Sequence, residues 1–79
     1  MRKQLYDMLW TEAIADRKKA LLSLDLLSDH AAGIGDHSTD DYWKNCKQSL
    51  ELLVDADDKL DCLRKYFKEE HDAIQNINI

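Results

Sequence analysis

The chain has 79 residues, no proline, only two glycines and a formal net charge of −5. This length fits one domain, and the scarcity of turn residues argues against a β-rich or disordered fold. The whole acidic excess lies in residues 36–79, which carry six basic and eleven acidic side chains. Because phosphate backbones select basic proteins, we expect no direct binding of nucleic acid.

The sequence has no apolar run of about 18 residues, so it predicts no transmembrane helix and no membrane partner. Its N-terminal segment starts with basic residues, but Asp7 and Glu12 interrupt the apolar stretch that a signal peptide requires. We therefore expect a cytoplasmic protein.

The first predicted helix covers about residues 3–32. Its apolar side chains recur at spacings of three and four, which is typical of a packing stripe. Arg17 interrupts the stripe, and we expect its guanidinium to reach a carboxylate or the solvent rim. The last turns add Leu21, Leu22 and Leu26, so the apolar arc is wider than one partner helix covers. This excess predicts self-association.

A turn is predicted at about residues 33–37. Gly33 suits the left-handed residue that ends many helices, and Ser38 with Asp41 resembles a capping box at the start of the next helix. Because this connection is only about five residues long, we expect the two helices to lie antiparallel.

The second predicted helix covers about residues 38–72 and is followed by a tail that we expect to fray. The predicted fold is therefore all-α: one domain, residues 1–79, forming an antiparallel two-helix hairpin. The hairpin is expected to self-associate into a four-helix bundle or a larger closed oligomer. The residues assigned to self-association are Tyr6, Trp10, Leu21, Leu24, Leu27, Leu53, Leu60, Leu63 and Phe67.

The polar turn is one candidate ligand site. Backbone amides at the start of the second helix favour anions, whereas the neighbouring carboxylates repel them. Histidines and aspartates at residues 30–41 have the chemistry of metal ligands, but their spacing matches no familiar metal motif, so no metal is assigned. The residues of the candidate turn are Gly35, Asp36, His37, Ser38 and Thr39.

Carboxylates at helical spacing are the second candidate. Glu51, Asp55 and Asp58 share one face of the second helix, and Glu12 with Asp16 forms a similar pair on the first. Facing carboxylates hold Mg²⁺ in all-α nucleotide pyrophosphohydrolases, but the Glu-x-x-Glu set of those enzymes is missing here. With no nucleophile constellation either, we expect no enzymatic activity and no cofactor.

Protein binding is the interpretation that these residues favour. Exposed carboxylates steer a basic partner, and an exposed tryptophan anchors it. The candidate partner-binding residues are Trp43, Glu51, Asp55, Asp58 and Asp61.

Two segments within residues 30–63 resemble small helical-hairpin proteins encoded by tailed bacteriophages. This resemblance implies an accessory phage protein, located in the host cytoplasm, that binds and inhibits a host or defence protein. The alternatives are an oligomeric protein that sequesters a small molecule or nucleotide, and a Mg²⁺-dependent pyrophosphohydrolase. The two segments are Gly33-Ile34-Gly35-Asp36-His37-Ser38 and Val54-Asp55-Ala56-Asp57-Asp58-Lys59-Leu60-Asp61.

Overall fold

The computed structural model describes residues 1–29 and 39–77, with side chains described as far as residue 72. Three helices occupy these ranges: α1, Lys3–Asp29; α2, Thr39–Tyr66; and α3, Lys68–Ile77. The prediction of an all-α fold is confirmed for these residues, and α1 and α2 pack against each other along their length. The predicted turn at residues 33–37 lies outside the described ranges. None of the helices described is both long and apolar enough to span a membrane.

The two long helices run antiparallel. Tyr6, near the start of α1, packs against Leu63 near the end of α2. At the other end, the Tyr42 hydroxyl donates a hydrogen bond of 2.6 Å to the Leu27 carbonyl, one of the acceptors that the last turn of a helix leaves free. The result is a rod with a longest dimension of 50 Å.

Small side chains set the distance between α1 and α2. Ala13 and Ala20 on α1 and Ala56 on α2 are buried, so the helix backbones approach closely where they face each other. Two large side chains, Tyr6 and Leu60, are fully buried at the same interface. This arrangement makes a narrow core and leaves many larger apolar side chains on the outside.

The second long helix ends earlier than the sequence predicts. It was expected to continue to about residue 72, but α2 ends at Tyr66 and α3 begins at Lys68. The break is local, because the Phe67 amide donates to the Leu63 carbonyl and the His71 amide donates to the Phe67 carbonyl, both at 3.1 Å. The tail expected to fray is helical as far as Ile77. Acidic side chains in the first turn of α3 favour this restart through the helix dipole.

Candidate protein-binding surface

The candidate surface is the acidic face of α2, which we define as Glu51, Asp55 and Asp58. All three carboxylates are exposed. Their helical spacing turns them away from Ala56 and Leu60, the residues of α2 that are buried against α1. The sequence prediction that these acids share one exposed face therefore agrees with their positions.

Two nearby aspartates differ from this face because basic side chains offset their charge. Asp57 lies 4.0 Å from the Arg17 guanidinium, so Arg17 reaches a carboxylate as expected. Asp61, a predicted partner-binding residue, forms an ion pair with Arg64 one helical turn away. Among the described residues, none of the three carboxylates of the acidic face forms such an ion pair. The acidic face therefore differs from Asp57 and Asp61 in having no ion-pair partner among the described residues.

Apolar anchors accompany the carboxylates. Trp43 is 59% exposed, and the Lys47 ammonium lies 5.9 Å from the centre of its ring. Leu50 and Val54, also exposed, line a shallow groove of about 360 Å³ together with two of the acids. Exposed aromatic and aliphatic side chains beside uncompensated charge are the composition of a protein-binding surface.

A second groove, of about 350 Å³, lies between α1 and α2 and is almost entirely apolar. Leu9 from α1 and Asp58, Lys59 and Leu63 from α2 line it. The exposed thiol of Cys62 also lines it. The groove extends the apolar surface available next to the acidic face.

A third groove, of about 420 Å³, has a mixed polar lining that sequence analysis missed. It lies near the other end of the helix pair, and its residues come from both long helices, so only their antiparallel packing brings them together. Its polar lining residues are Lys19, Ser23, Asn45, Gln48 and Ser49.

Most of the candidate ligand-binding turn lies outside the described residues. The four positions concerned are Gly35, Asp36, His37 and Ser38. Thr39 is described; it is the exposed first residue of α2. Anion binding at this turn stays a prediction. Elsewhere, the described residues contain no group of three His, Cys, Asp or Glu side chains placed to hold a metal ion.

The residues assigned to self-association are buried to different extents by the contact between α1 and α2. Tyr6, Leu60 and Leu63 are buried there, and only Leu21 in the assigned set is exposed. Because α1 and α2 bury Tyr6, Leu60 and Leu63 against each other, these three side chains have little surface left for a second copy. Self-association through the other assigned residues stays a prediction. The remaining assigned residues, which are half-buried, are Trp10, Leu24, Leu27, Leu53 and Phe67.

An aromatic cluster at the end of the rod is a feature that sequence analysis missed. The His71 ring, from α3, lies 4.6 Å from the Trp10 ring centre and 6.3 Å from that of Tyr6. His71 is only 7% exposed, and the Arg64 guanidinium covers Trp10 at 6.0 Å. A sequence pattern that indicates the burial of His71 is its spacing of four from Phe67, which is itself four residues after Leu63. This spacing continues the packing stripe of α2 into α3.

Tyr6 in this cluster has a buried hydroxyl with no hydrogen-bond partner among the described residues. Burial raises the pKa of Tyr6 above its ordinary value of 10.0; Arg64 lowers it in part, and Glu70 and Asp72 raise it further. The folded state therefore holds this proton more tightly than the unfolded state. The contribution of the Tyr6 proton to the free energy of unfolding is therefore fully present below pH 10, the ordinary pKa of tyrosine, and is lost as the pH rises above it.

Tyr6→Phe removes a buried hydroxyl that makes no hydrogen bond, so we expect the free energy of unfolding at pH 7 to stay equal or rise by about 1 kcal/mol. The fall in stability above pH 10 should also become shallower. Urea unfolding at pH 7 and pH 10.5 measures both effects. Tyr66→Phe, at an exposed position, is the matched control, and a loss of more than 1 kcal/mol at pH 7 for Tyr6→Phe contradicts this prediction.

No protein-family model matches the chain, and neither a curated protein nor a solved structure matches it. Surface chemistry is therefore the main guide to the function of the chain.

Proposed function

We propose that this protein is a non-catalytic binding module that self-associates and captures a protein partner through the acidic face of α2. The observation that carries this proposal is the groove in which exposed Leu50 and Val54 lie beside Glu51 and Asp55, carboxylates that make no ion pair among the described residues. Exposed Trp43 lies about two helical turns before Glu51 on the same helix. The partner is a protein with a basic surface around an apolar pocket.

Capture combines two physical effects. The uncompensated charge of Glu51, Asp55 and Asp58 attracts a basic surface and speeds encounter, an effect that salt weakens. Trp43 then supplies the apolar contact that slows dissociation, because a large aromatic side chain loses most by returning to water. The module acts by covering its partner's surface, and the resemblance to phage proteins makes a bacterial host or defence protein the partner class.

Self-association is supported by the imbalance between core and surface. The buried hydrophobic side chains of the described residues are three alanines, one tyrosine and two leucines, whereas Met8 and several leucines along α1 are exposed. A chain of this size gains little stability from so narrow a core. Pairing two helix pairs into a four-helix bundle would cover the exposed apolar side chains of α1.

A second candidate function is favoured by the mixed groove near the other end of the rod. Lys19, Asn45 and Gln48 place one cation and two amides around a space of about 420 Å³, which suits a small polar ligand such as a nucleotide. A ligand that binds only the folded state raises the Tm, so a thermal-shift screen with nucleotides tests this candidate.

The binding test begins with affinity capture from a bacterial lysate by the wild-type chain and isolation of the captured protein. Reversal of two charges, Asp55→Lys with Asp58→Lys, is expected to weaken its binding roughly 100-fold, since each reversal replaces attraction by repulsion. Isothermal titration calorimetry measures the Kd. The wild-type interaction should also weaken as salt rises from 50 to about 300 mM.

The matched control is Asp7→Lys with Asp25→Lys, which changes net charge equally at exposed positions of α1. This control should bind within about threefold of wild type. Equal weakening by both pairs would mean that only net charge matters, and an unchanged Kd for the α2 pair would reject the acidic face. A wild-type chain that retains no protein from the lysate also contradicts the proposal.

A further inference from the structure

A second apolar stripe runs along α1 and is turned away from Tyr6, Ala13 and Ala20, the residues that are buried against α2. In its C-terminal half, Lys19 and Leu26 also line the mixed groove beside α2. We call this second stripe the outer stripe of α1; its members are exposed and follow one another at alternating spacings of three and four. Its large apolar side chains are 48–70% exposed, so the helix pair leaves at least about half of the surface of each one accessible. The members are Leu5, Met8, Glu12, Ala15, Lys19, Leu22 and Leu26.

The order of charged and apolar residues in the outer stripe is the same in both directions from its central residue, Ala15. Moving outward from Ala15, each direction meets a charged residue and then two large apolar ones, but the charge is acidic on one side and basic on the other. Glu12 and Lys19 are about 10 Å apart along the helix, too far to pair within one chain. Neither forms an ion pair among the described residues.

We propose that the outer stripe of α1 binds a second copy of this chain in antiparallel orientation, with the two-fold axis passing by Ala15. This inference rests on the proposed self-association and names its surface and symmetry. Reversal about Ala15 sets Glu12 of each copy beside Lys19 of the other, which gives two equivalent ion pairs. The small side chain of Ala15 allows the helices to approach most closely at the axis.

The same two-fold rotation places the apolar residues at one end of the stripe beside those at the other end of the second copy. Leu5 comes to the height of Leu26 of the second copy, and Met8 to that of Leu22, each within about one residue, or roughly 1.5 Å of helix rise. Four large apolar side chains of each copy are thereby covered. The interface is isologous, so it closes after two copies.

Two other pairings of the long helices bring like charges together. A parallel two-fold pairing of α1 aligns Glu12 with Glu12 and Lys19 with Lys19. An antiparallel pairing through the acidic face of α2 sets Glu51 and Asp55 against carboxylates of the second copy. Charge complementarity therefore selects the antiparallel contact between outer stripes, and the acidic face stays open for the partner protein.

The first test exchanges the charges. Sedimentation equilibrium of the wild-type chain is expected to give twice the 9.2 kDa chain mass. Glu12→Lys alone or Lys19→Glu alone should raise the dimer Kd at least tenfold, because each creates two like-charge contacts. The double variant, with both reversals, should return to within about threefold of wild type. Asp7→Lys, on α1 but outside the stripe, should leave the Kd within threefold.

The second test is disulfide cross-linking of a cysteine introduced at the symmetry axis. The native thiols are first removed by Cys46→Ala and Cys62→Ala. Ala15→Cys is expected to form a disulfide-linked dimer on mild oxidation, since a residue at the axis meets its own copy. Leu22→Cys is the control, because reversal about Ala15 places its two copies roughly 21 Å apart, beyond disulfide reach. Circular dichroism confirms that each variant is helical.

A monomeric wild type, single reversals that leave the Kd unchanged, or a double variant that stays dissociated would overturn the proposal. So would a dimer in which Leu22→Cys cross-links and Ala15→Cys does not. These results are separable from the partner-binding test, since the variants of α1 leave the acidic face of α2 intact.

Discussion

Leu60→Ala is expected to lower the free energy of unfolding by about 2–5 kcal/mol, the largest loss for a single aliphatic truncation in this chain. Leu60 is 1% exposed and one of the two largest side chains that are fully buried. Its truncation loses the transfer free energy of the removed carbons and leaves a cavity between α1 and α2 that the closely packed helices cannot fill by moving together. A folded domain of this length has only about 4–12 kcal/mol of stability, so the variant should be close to unfolding.

Urea unfolding followed by circular dichroism measures this loss, at one fixed protein concentration because association also stabilises the folded state. Leu50→Ala is the matched control, since it makes the same chemical change on the same helix at a side chain that is 53% exposed. Its expected loss is below about 1 kcal/mol. Equal losses for the two variants would contradict the assignment of Leu60 to the core.

Trp10→Ala is expected to lower the free energy of unfolding by about 3 kcal/mol and to release α3 from α1. Trp10 is stacked with Tyr6, with ring centres 6.2 Å apart, and lies closer still to His71. Without the indole, α3 loses its main aromatic contact with α1. As a helix of ten residues, it is too short to stay formed by its own hydrogen bonds.

Hydrogen exchange separates the two effects. The backbone amides of α3, in particular that of His71, should exchange at least tenfold faster in Trp10→Ala, while the middle of α2 stays protected. Trp43→Ala is the matched control, since its side chain is largely exposed, and it should leave exchange in α3 unchanged. Unaltered exchange in α3 of Trp10→Ala would mean that the aromatic cluster does not dock this helix.

Local patterns in the sequence predicted the helices and the exposed acids. Helix formation depends on residues within a few positions of one another, so the course of α1 and a start for α2 within one residue of Thr39 followed from periodicity and capping. The exposure of Glu51, Asp55 and Asp58 followed for the same reason, because charged residues at helical spacing lie on one face and lose hydration if they are buried.

Tertiary packing decided what periodicity leaves open. Both long helices carry more than one apolar stripe, and spacing alone does not say which stripe meets the neighbouring helix. The stripe with Ala13, Ala20 and Ala56 faces inward because small side chains let the backbones approach and bury more surface per residue. The docking of His71 depends on the antiparallel register, which joins residues more than sixty positions apart. Such contacts have no local signature, so only the folded chain determines them.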